Sequence, residues 1–347
     1  MVKYLDCGKI VKLQLKQNLE KYIFWILFTS VNLVSLLFKL GKLDIVEYKY
    51  DQNFAFSVVQ NCNNGNFFNY IESSAGIPAG PLIYFYECIG GIVGISSYIN
   101  LLVFEILISH FLIVCLFFFL RNYLNPYSNL LTFTFLLLNP YLIVIGKNPG
   151  ITAHYEIFAF LFIYFFLKRN DKTKNYFYLG FISSLSFAAY VPIFIIFFAI
   201  LLTLLVFKKI KHLGTLIFGS LLGFILALST FVPYYIENPI EFMSSRSRSW
   251  GLSSFWRILL DLLSGKSIKA KVNHVEDYAL LTNSYPFFDN LIQVNYYLLL
   301  FIFIFSLCVL LRNYKFKQIN DFEILFIGSF FTTGVIFTIF DVPLYAH

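Results

Sequence analysis

Three acidic residues in segment 41–80 have a spacing that could support proton transfer. Asp44, Glu47 and Asp51 follow one another three and four residues apart. On a helix that spacing would place all three on one face. A carboxylate at a membrane surface is partly desolvated, which raises its basicity and suits it to act as a general base. A solvated acidic loop would have the same spacing, so the pattern alone leaves both interpretations open.

A second polar group flanks a short turn between two apolar segments. Lys147 stands before the tripeptide Asn-Pro-Gly, and His154, Tyr155 and Glu156 begin the next apolar segment. Lys147 could neutralise a phosphate, or it could snorkel to the interface. An ionisable residue just inside a membrane is a functional hypothesis, so Glu156 is a candidate to orient Lys147. A lone histidine at the end of a span is more often structural, and His154 therefore ranks below Glu156.

Two arginines alternate with serines in the segment 236–292. Arg246 and Arg248 lie in the run Ser-Ser-Arg-Ser-Arg-Ser-Trp. A guanidinium group matches the geometry of phosphate oxygens, and the neighbouring serines can add donors. Contact with anionic lipid headgroups would use the same residues, and we favour the phosphate interpretation because this segment is expected to face the same side as the acidic residues.

Glu105 and His110 lie inside one apolar segment, five residues apart. At that spacing they do not share a helix face, so a paired relay is not supported. We expect structural hydrogen bonds to a neighbouring helix instead.

The elements that position these residues follow from the composition. The 347 residues are 59% apolar, 20% aromatic and only 13% charged, with a mean hydropathy of +0.72. Soluble domains contain about 45–50% apolar and about 25% charged residues. The composition excludes a water-soluble enzyme and predicts an all-α polytopic membrane protein.

The apolar runs predict about nine transmembrane helices. Pro192 interrupts the longest run, which is therefore divided into two spans. A tenth stretch, Pro81–Gly94, is too short to cross and is interpreted as a re-entrant or juxtamembrane helix. The predicted spans are Tyr22–Leu40, Tyr98–Leu120, Asn129–Gly146, Thr152–Leu167, Tyr176–Tyr190, Ile193–Phe207, Gly214–Tyr235, Gln293–Leu311 and Phe322–Phe340.

Charge sorts the connecting segments into two classes. Most of the 26 lysines and arginines fall in the N-terminal tail and in alternate short loops, which predicts that those segments are cytoplasmic. The domain description is then a cytoplasmic tail at 1–21 and a single transmembrane domain at 22–347. Its two larger extracytoplasmic loops are 41–80, with a short amphipathic helix at Asn53–Gln60, and 236–292. The net charge of +7 thus reflects topology and does not suggest nucleic acid.

The five cysteines contain no CxxC pair, which argues against a metal cluster. Cys62 and Cys88 both belong to segments expected on the outer side, so a disulfide between them is an open expectation.

Several short motifs occur in a characteristic order along the chain. They are Tyr50-Asp51-Gln52, Asn64-Gly65, Ala79-Gly80-Pro81-Leu82-Ile83-Tyr84, Leu138-Asn139-Pro140 through Lys147, His154-Tyr155-Glu156, and a span ending at Lys168-Arg169. This order resembles polytopic glycosyltransferases of the C-type fold (GT-C). The nearest resemblance is to the family 39 group, which includes protein O-mannosyltransferases and lipid A aminoarabinose transferases.

The resemblance implies an enzyme that moves a sugar from a polyprenyl-phosphate donor to an extracytoplasmic glycan, lipid or protein acceptor. Asp51 would be the base that takes a proton from the acceptor. Gln52 stands where the family usually has a second acid. Asp44 and Glu47 would support Asp51, or would hold a divalent cation such as Mg²⁺ or Mn²⁺ together with it.

The remaining candidates would bind the substrates. Lys147, Arg246 and Arg248 would contact the lipid phosphate. Gln52, His154, Tyr155 and Glu156 would line the same site, with Glu156 orienting Lys147 or a sugar hydroxyl.

The implied location is a bacterial or archaeal plasma membrane, with the N-terminus in the cytoplasm and the active site outside. Relatives continue into further spans after a stretch similar to Asp341–His347, so a C-terminal truncation is also an expectation.

Two other classes of polytopic protein remain alternatives. O-antigen or polysaccharide polymerases and ligases tend to keep arginine-rich chemistry in later loops, whereas here an acidic motif directly follows the first span. Transporters usually show repeats and charges at mid-membrane depth. The sequence shows no repeat, and only Glu105 is clearly at depth.

Overall fold

The computed structural model describes residues 7–41, 43, 50–65, 81–139, 143, 155–189, 191–237, 288–315 and 319–332. Within these ranges the regular structure is helical and no β-strand occurs. The helices are α1 (Cys7–Leu40), α2 (Tyr50–Asn63), α3 (Pro81–Ile92), α4 (Tyr98–Leu120), α5 (Pro126–Leu138), α6 (Tyr155–Lys168), α7 (Thr173–Leu185), α8 (Val191–Val206), α9 (Leu213–Glu237), α10 (Phe288–Lys315) and α11 (Asp321–Ile327). A 3₁₀ turn at Ser186–Ala188 follows α7, and a π-helical turn at Gly328–Thr332 continues α11.

Three of the described helices are long and apolar enough to cross a membrane. They are the Leu19–Leu40 part of α1, the whole of α4, and the Leu213–Val232 part of α9. Three further helical stretches, Pro126–Leu138, Ile193–Val206 and Leu300–Asn313, are apolar but shorter. The described part of the chain is therefore all-helical, its three long apolar helices indicate a membrane-embedded protein, and the expected number of about nine spans stays a prediction.

Local signals set the ends of the helices around the second span. Helix α4 has the predicted bounds, and the Ser97 side chain caps it by accepting a hydrogen bond from the Asn100 backbone N–H at 3.2 Å. Helix α5 begins at Pro126, three residues before the predicted start. The Asn125 side chain accepts a bond from the Ser128 N–H at 2.8 Å, and proline is well suited to the first turn.

The longest apolar run is broken into two helices near Pro192, as predicted, and the expectation that each part is a separate span stays a prediction. Helix α7 ends at Leu185, and α8 begins at Val191. Pro192 lies in the first turn of α8, where its missing N–H needs no intrahelical partner.

Helices α2 and α3 form an antiparallel pair that a disulfide cross-links. Cys62 and Cys88 are bonded, with their Cα atoms 5.3 Å apart. One turn away, a Cβ atom at Gly91 would lie only 2.8 Å from the Val59 carbonyl oxygen, so the two backbones approach closely. These contacts confirm the short helix expected at Asn53–Gln60, extend it in both directions, and confirm that the segment after Pro81 is helical.

Aromatic side chains fill the space between the helices. Phe28, Phe117 and Phe133 join α1, α4 and α5, with the Phe28 and Phe133 rings stacked at 4.8 Å. In a second cluster, the rings of Phe162 on α6 and Phe197 on α8 stack with centroids 4.1 Å apart. These contacts fix the position of α4 relative to α1, and of α6 relative to α8.

Candidate functional site

The structure leaves the mutual arrangement of the predicted site residues untested. The predicted site residues that lie outside the described residues are Asp44, Glu47, Lys147, His154, Arg246 and Arg248. Asp51 and Gln52 belong to the first turn of α2, and Tyr155 begins α6, but the side chains of these three are also outside the described part. Glu156, in the first turn of α6, is described and is half-buried.

Glu156 belongs to a group of ionisable side chains that four helices bring together inside the bundle. We call this group the polar cluster. Its members are Lys39 of α1, Tyr86 and Glu87 of α3, Glu105 and His110 of α4, and Glu156 of α6. The side chains other than Glu156 are buried, so charges and hydrogen-bonding groups are concentrated where an apolar interior is expected.

Two acidic residues lie next to each other at the centre of the polar cluster. Glu87 is 1% exposed and Glu105 is 5% exposed, and the two carboxyl groups, one on α3 and one on α4, lie within electrostatic range of each other. Burial raises the pKa of Glu87, which lies outside the three long apolar helices, to about 8, although its interaction with Glu105 opposes part of that shift. A carboxyl group with this pKa is neutral at acidic pH and able to release a proton in the physiological range.

Tyr86 lies beside the acidic pair, on the same helix as Glu87. Burial raises the pKa of its hydroxyl group, and the charges of Glu105, Glu87 and Glu156 raise it further. The Tyr86 hydroxyl therefore keeps its proton throughout the pH range in which the carboxyl groups change their charge.

Lys39 supplies a positive charge to the polar cluster. It belongs to the last turn of α1 with only 1% of its surface exposed, and it lies within electrostatic range of Glu156 on α6 and His110 on α4. A buried ammonium group needs an opposite charge to stay ionised, and Glu156 is positioned to provide it. The oppositely charged neighbour of Glu156 among the described residues is Lys39, and the predicted pairing of Glu156 with Lys147 involves a residue outside the described part.

Two hydrogen bonds join the helices that carry and surround the polar cluster. The His110 Nε2 atom lies 3.0 Å from the Asn32 side-chain oxygen, which joins α4 to α1. Ser35 donates to the Leu137 carbonyl oxygen at 2.8 Å, which joins α1 to α5. The expectation of a structural bond from His110 to a neighbouring helix is confirmed.

Some buried polar atoms of α4 have no hydrogen-bond partner among the described residues. They are Oε1 of Glu105, Oγ of Ser109 and Nδ1 of His110. Glu105 and Ser109 are one helical turn apart and therefore lie on the same face of α4. Burying an unpartnered polar atom costs free energy, so this face is equipped to hold a polar ligand or a proton.

Sequence reasoning missed three members of the polar cluster, namely Lys39, Tyr86 and Glu87. Lys39 falls at the predicted outer end of the first span, where a lysine is easily interpreted as an interface anchor. Glu87 is the one acidic residue in the apolar helix α3, and a single acid in an apolar sequence was the available indication of a buried polar residue.

Among the described residues, no group of three or more His, Cys, Asp or Glu side chains is arranged to hold a metal ion. The sequence left open whether Asp44, Glu47 and Asp51 hold a divalent cation. The side chains of these three residues lie outside the described part. Comparison of the chain with protein-family models, curated proteins and solved structures gave no match.

Proposed function

We propose that the protein is an integral membrane glycosyltransferase that moves a sugar from a polyprenyl-phosphate donor to an extracytoplasmic glycan, lipid or protein acceptor. The observation that carries the proposal is the order of elements after the first long apolar helix. Helix α2 begins at Tyr50-Asp51-Gln52, and α3 begins at Pro81 of the Pro-Leu-Ile-Tyr motif. This is the order expected from the GT-C resemblance, with the acidic motif at the start of a short helix.

Asp51 would take the proton of the acceptor hydroxyl or amine as that group attacks the anomeric carbon of the sugar. The leaving group is the lipid phosphate, whose negative charge would be stabilised by Lys147, Arg246 and Arg248. Glu156 would orient Lys147 or a hydroxyl group of the sugar. A divalent cation is not required by this scheme, and chelation of the assayed enzyme tests for one.

The topology belongs to the same proposal. About nine spans with a cytoplasmic N-terminus would place α2 and α3 on the outer side. The Cys62–Cys88 disulfide supports that side, because disulfides persist in oxidising compartments and are rare in the cytosol.

The test is replacement of Asp51 by Asn, which keeps the shape of the side chain and removes its basicity. Surface glycan and glycolipid composition is compared between cells that have the gene, cells that lack it, and cells that carry the variant. We expect the variant to match the gene-deletion cells while its amount in the membrane stays unchanged. Gln60→Glu, an exposed position on the same helix, is the matched control. Normal transfer by Asp51→Asn would refute the catalytic role.

The polar cluster favours one alternative function, secondary transport. Charges buried inside a helical bundle often mark the pathway of an ion or substrate. Lys39 and Glu87 add to Glu105, so more charged groups are buried inside the bundle than the sequence alone indicated. Purified protein in liposomes separates the two functions, since a transporter accumulates solute under an ion gradient without any change in a glycan.

A further inference from the structure

The contact between α3 and α4 brings two carboxyl groups together away from water. Glu87 and Glu105 are both almost fully buried, and their carboxyl groups lie within electrostatic range of each other. Two neighbouring carboxylates repel each other strongly where the dielectric constant is low. A single proton shared by the pair removes one charge and converts the repulsion into a hydrogen bond.

The hydrogen bonding of Glu105 also favours a neutral, protonated carboxyl group. Its Oε1 atom is buried and accepts no hydrogen bond from any described residue. Ser109, one turn along the same face of α4, also has an unpartnered hydroxyl group. A buried carboxylate oxygen without a donor is strongly disfavoured, whereas a neutral carboxylic acid tolerates that environment far better.

The remaining charges around the pair come from the helices packed against it. Lys39 of α1 and Glu156 of α6 are opposite charges within electrostatic range of each other. Tyr86 of α3 and His110 of α4 are the other titratable groups among the described side chains here. The charge of Glu156 also acts on Glu105, which disfavours a second negative charge on the acidic pair and favours a bound proton.

We infer that Glu87 and Glu105 form a proton-binding site that holds one exchangeable proton between the two carboxyl groups. The site is distinct from the proposed base Asp51, and it depends neither on glycosyl transfer nor on transport. Its ligand is the proton itself, which enters or leaves as the pH at the accessible face of the bundle changes.

Dicyclohexylcarbodiimide tests this site, because the apolar reagent enters the bundle and reacts with protonated carboxyl groups. The carboxylic acid proton moves to a reagent nitrogen while a carboxyl oxygen bonds to the central carbon. The resulting O-acylisourea rearranges to a stable N-acylurea with no atom lost. The full chain is treated in detergent across a range of pH, and the modified peptides are identified by mass spectrometry.

We expect labelling of Glu87 or Glu105 at mildly acidic pH and its loss at alkaline pH. Exposed Glu20 of α1 is the internal control for the labelling of a carboxyl group in contact with solvent. The variants Glu87→Gln and Glu105→Gln should each move the pH at which labelling of the remaining acid is lost, and the double variant should lose the label.

Infrared spectroscopy of the unmodified protein tests the site independently, in case the carbodiimide does not reach it. A pH-dependent carboxylic acid C=O band should be present in the wild type and altered in Glu87→Gln. A wild type without labelling of either acid and without such a band would overturn the inference. Labelling that does not change with pH would also overturn it.

Discussion

At the level of single residues, Glu87 links the protonation state of the bundle to its stability. Burial raises the pKa of its carboxyl group from the ordinary 4.5 to about 8. Between these two values the folded protein retains the proton, whereas the unfolded chain has released it. The corresponding stability is fully present below pH 4.5 and is lost as the pH rises through about 8.

We therefore predict that the unfolding temperature of the detergent-solubilised protein falls as the pH is raised from about 5 to about 8.5. Glu87→Gln keeps a neutral side chain of similar shape, so its unfolding temperature should vary less over the same range. Differential scanning fluorimetry measures both profiles. Glu20→Gln, at an exposed position, is the control and should follow the wild type. Parallel profiles for Glu87→Gln and the wild type would contradict the prediction.

A second residue-level constraint is the buried arginine after α6. Arg169 is 1% exposed and makes two bonds to the Asp321 carboxylate, at 2.5 and 3.1 Å. It also donates to the Phe166 carbonyl oxygen at 2.7 Å and lies over the Phe166 ring. The pair joins the end of α6 to the start of α11 and so brings distant parts of the chain together.

Asp321→Asn should lower the free energy of unfolding by about 1–3 kcal/mol, because the buried guanidinium group loses its countercharge. Asp321 is itself 35% exposed, so solvent screening favours the lower part of this range. Asp171→Asn is the matched control, since Asp171 forms an exposed pair with Lys168 at 3.2 Å and raises the pKa of that lysine mainly through the hydrogen bond. Denaturant titration should show a smaller loss for Asp171→Asn than for Asp321→Asn, and equal losses would argue against burial as the cause.

At the level of elements, the closest helix pair in the described bundle is α7 with α9. Gly180 of α7 faces α9, and Gly219 and Gly223 of α9 face the α7 backbone. A Cβ atom at Gly219 would collide with the Phe177 carbonyl group, and one at Gly223 would collide with that of Phe181. Small residues four positions apart allow two helices in a membrane to approach this closely.

Gly219→Ala should destabilise the protein by about 1–3 kcal/mol, because the helices must separate to make room for the added methyl group. Gly214→Ala, at the start of the same helix, is the control. No atom lies within 4 Å of its added Cβ, so this change should be neutral or should stabilise the helix. Thermal unfolding of the two variants measures the difference, and equal stability would contradict the close packing.

The helices themselves were largely predictable, because their signals are local. The apolar run from Tyr98 to Leu120 predicted α4 to the residue, and Pro192 predicted the break between α7 and α8. A helix boundary differs from the predicted one where a capping residue sets it, as at Asn125 before α5. These signals lie within a few residues of the feature that they determine.

The polar cluster was not predictable from the same signals. Lys39, Glu87, Glu105 and Glu156 belong to four different helices, and nothing local to any of them indicates the others. Arg169 shows the same limit, since the sequence indicated only that it ends a span, whereas its partner Asp321 is 152 residues away. Helix-to-helix packing decides these contacts, and sequence periodicity does not encode it directly.

At the level of the whole molecule, the distribution of lysine and arginine among the loops predicts which helix ends lie on the same side of the membrane. Ser96 precedes α4, Asn122 follows it, and Lys209 precedes α9, and all three side chains are exposed. The proposed topology places Ser96 outside and the other two in the cytoplasm. The Cys62–Cys88 disulfide lies on the same side as Ser96 in that arrangement.

Single cysteines at these positions test the topology directly. In a background where Cys7, Cys115 and Cys308 are replaced by serine, Ser96→Cys should react with a membrane-impermeant maleimide on intact cells. Asn122→Cys and Lys209→Cys should react only after the membrane is opened, because α4 would separate them from the outer surface. Reaction of all three positions from one side would mean that α4 does not cross. A fully reversed pattern would place the disulfide and Asp51 in the cytoplasm, which would remove the basis for extracytoplasmic sugar transfer.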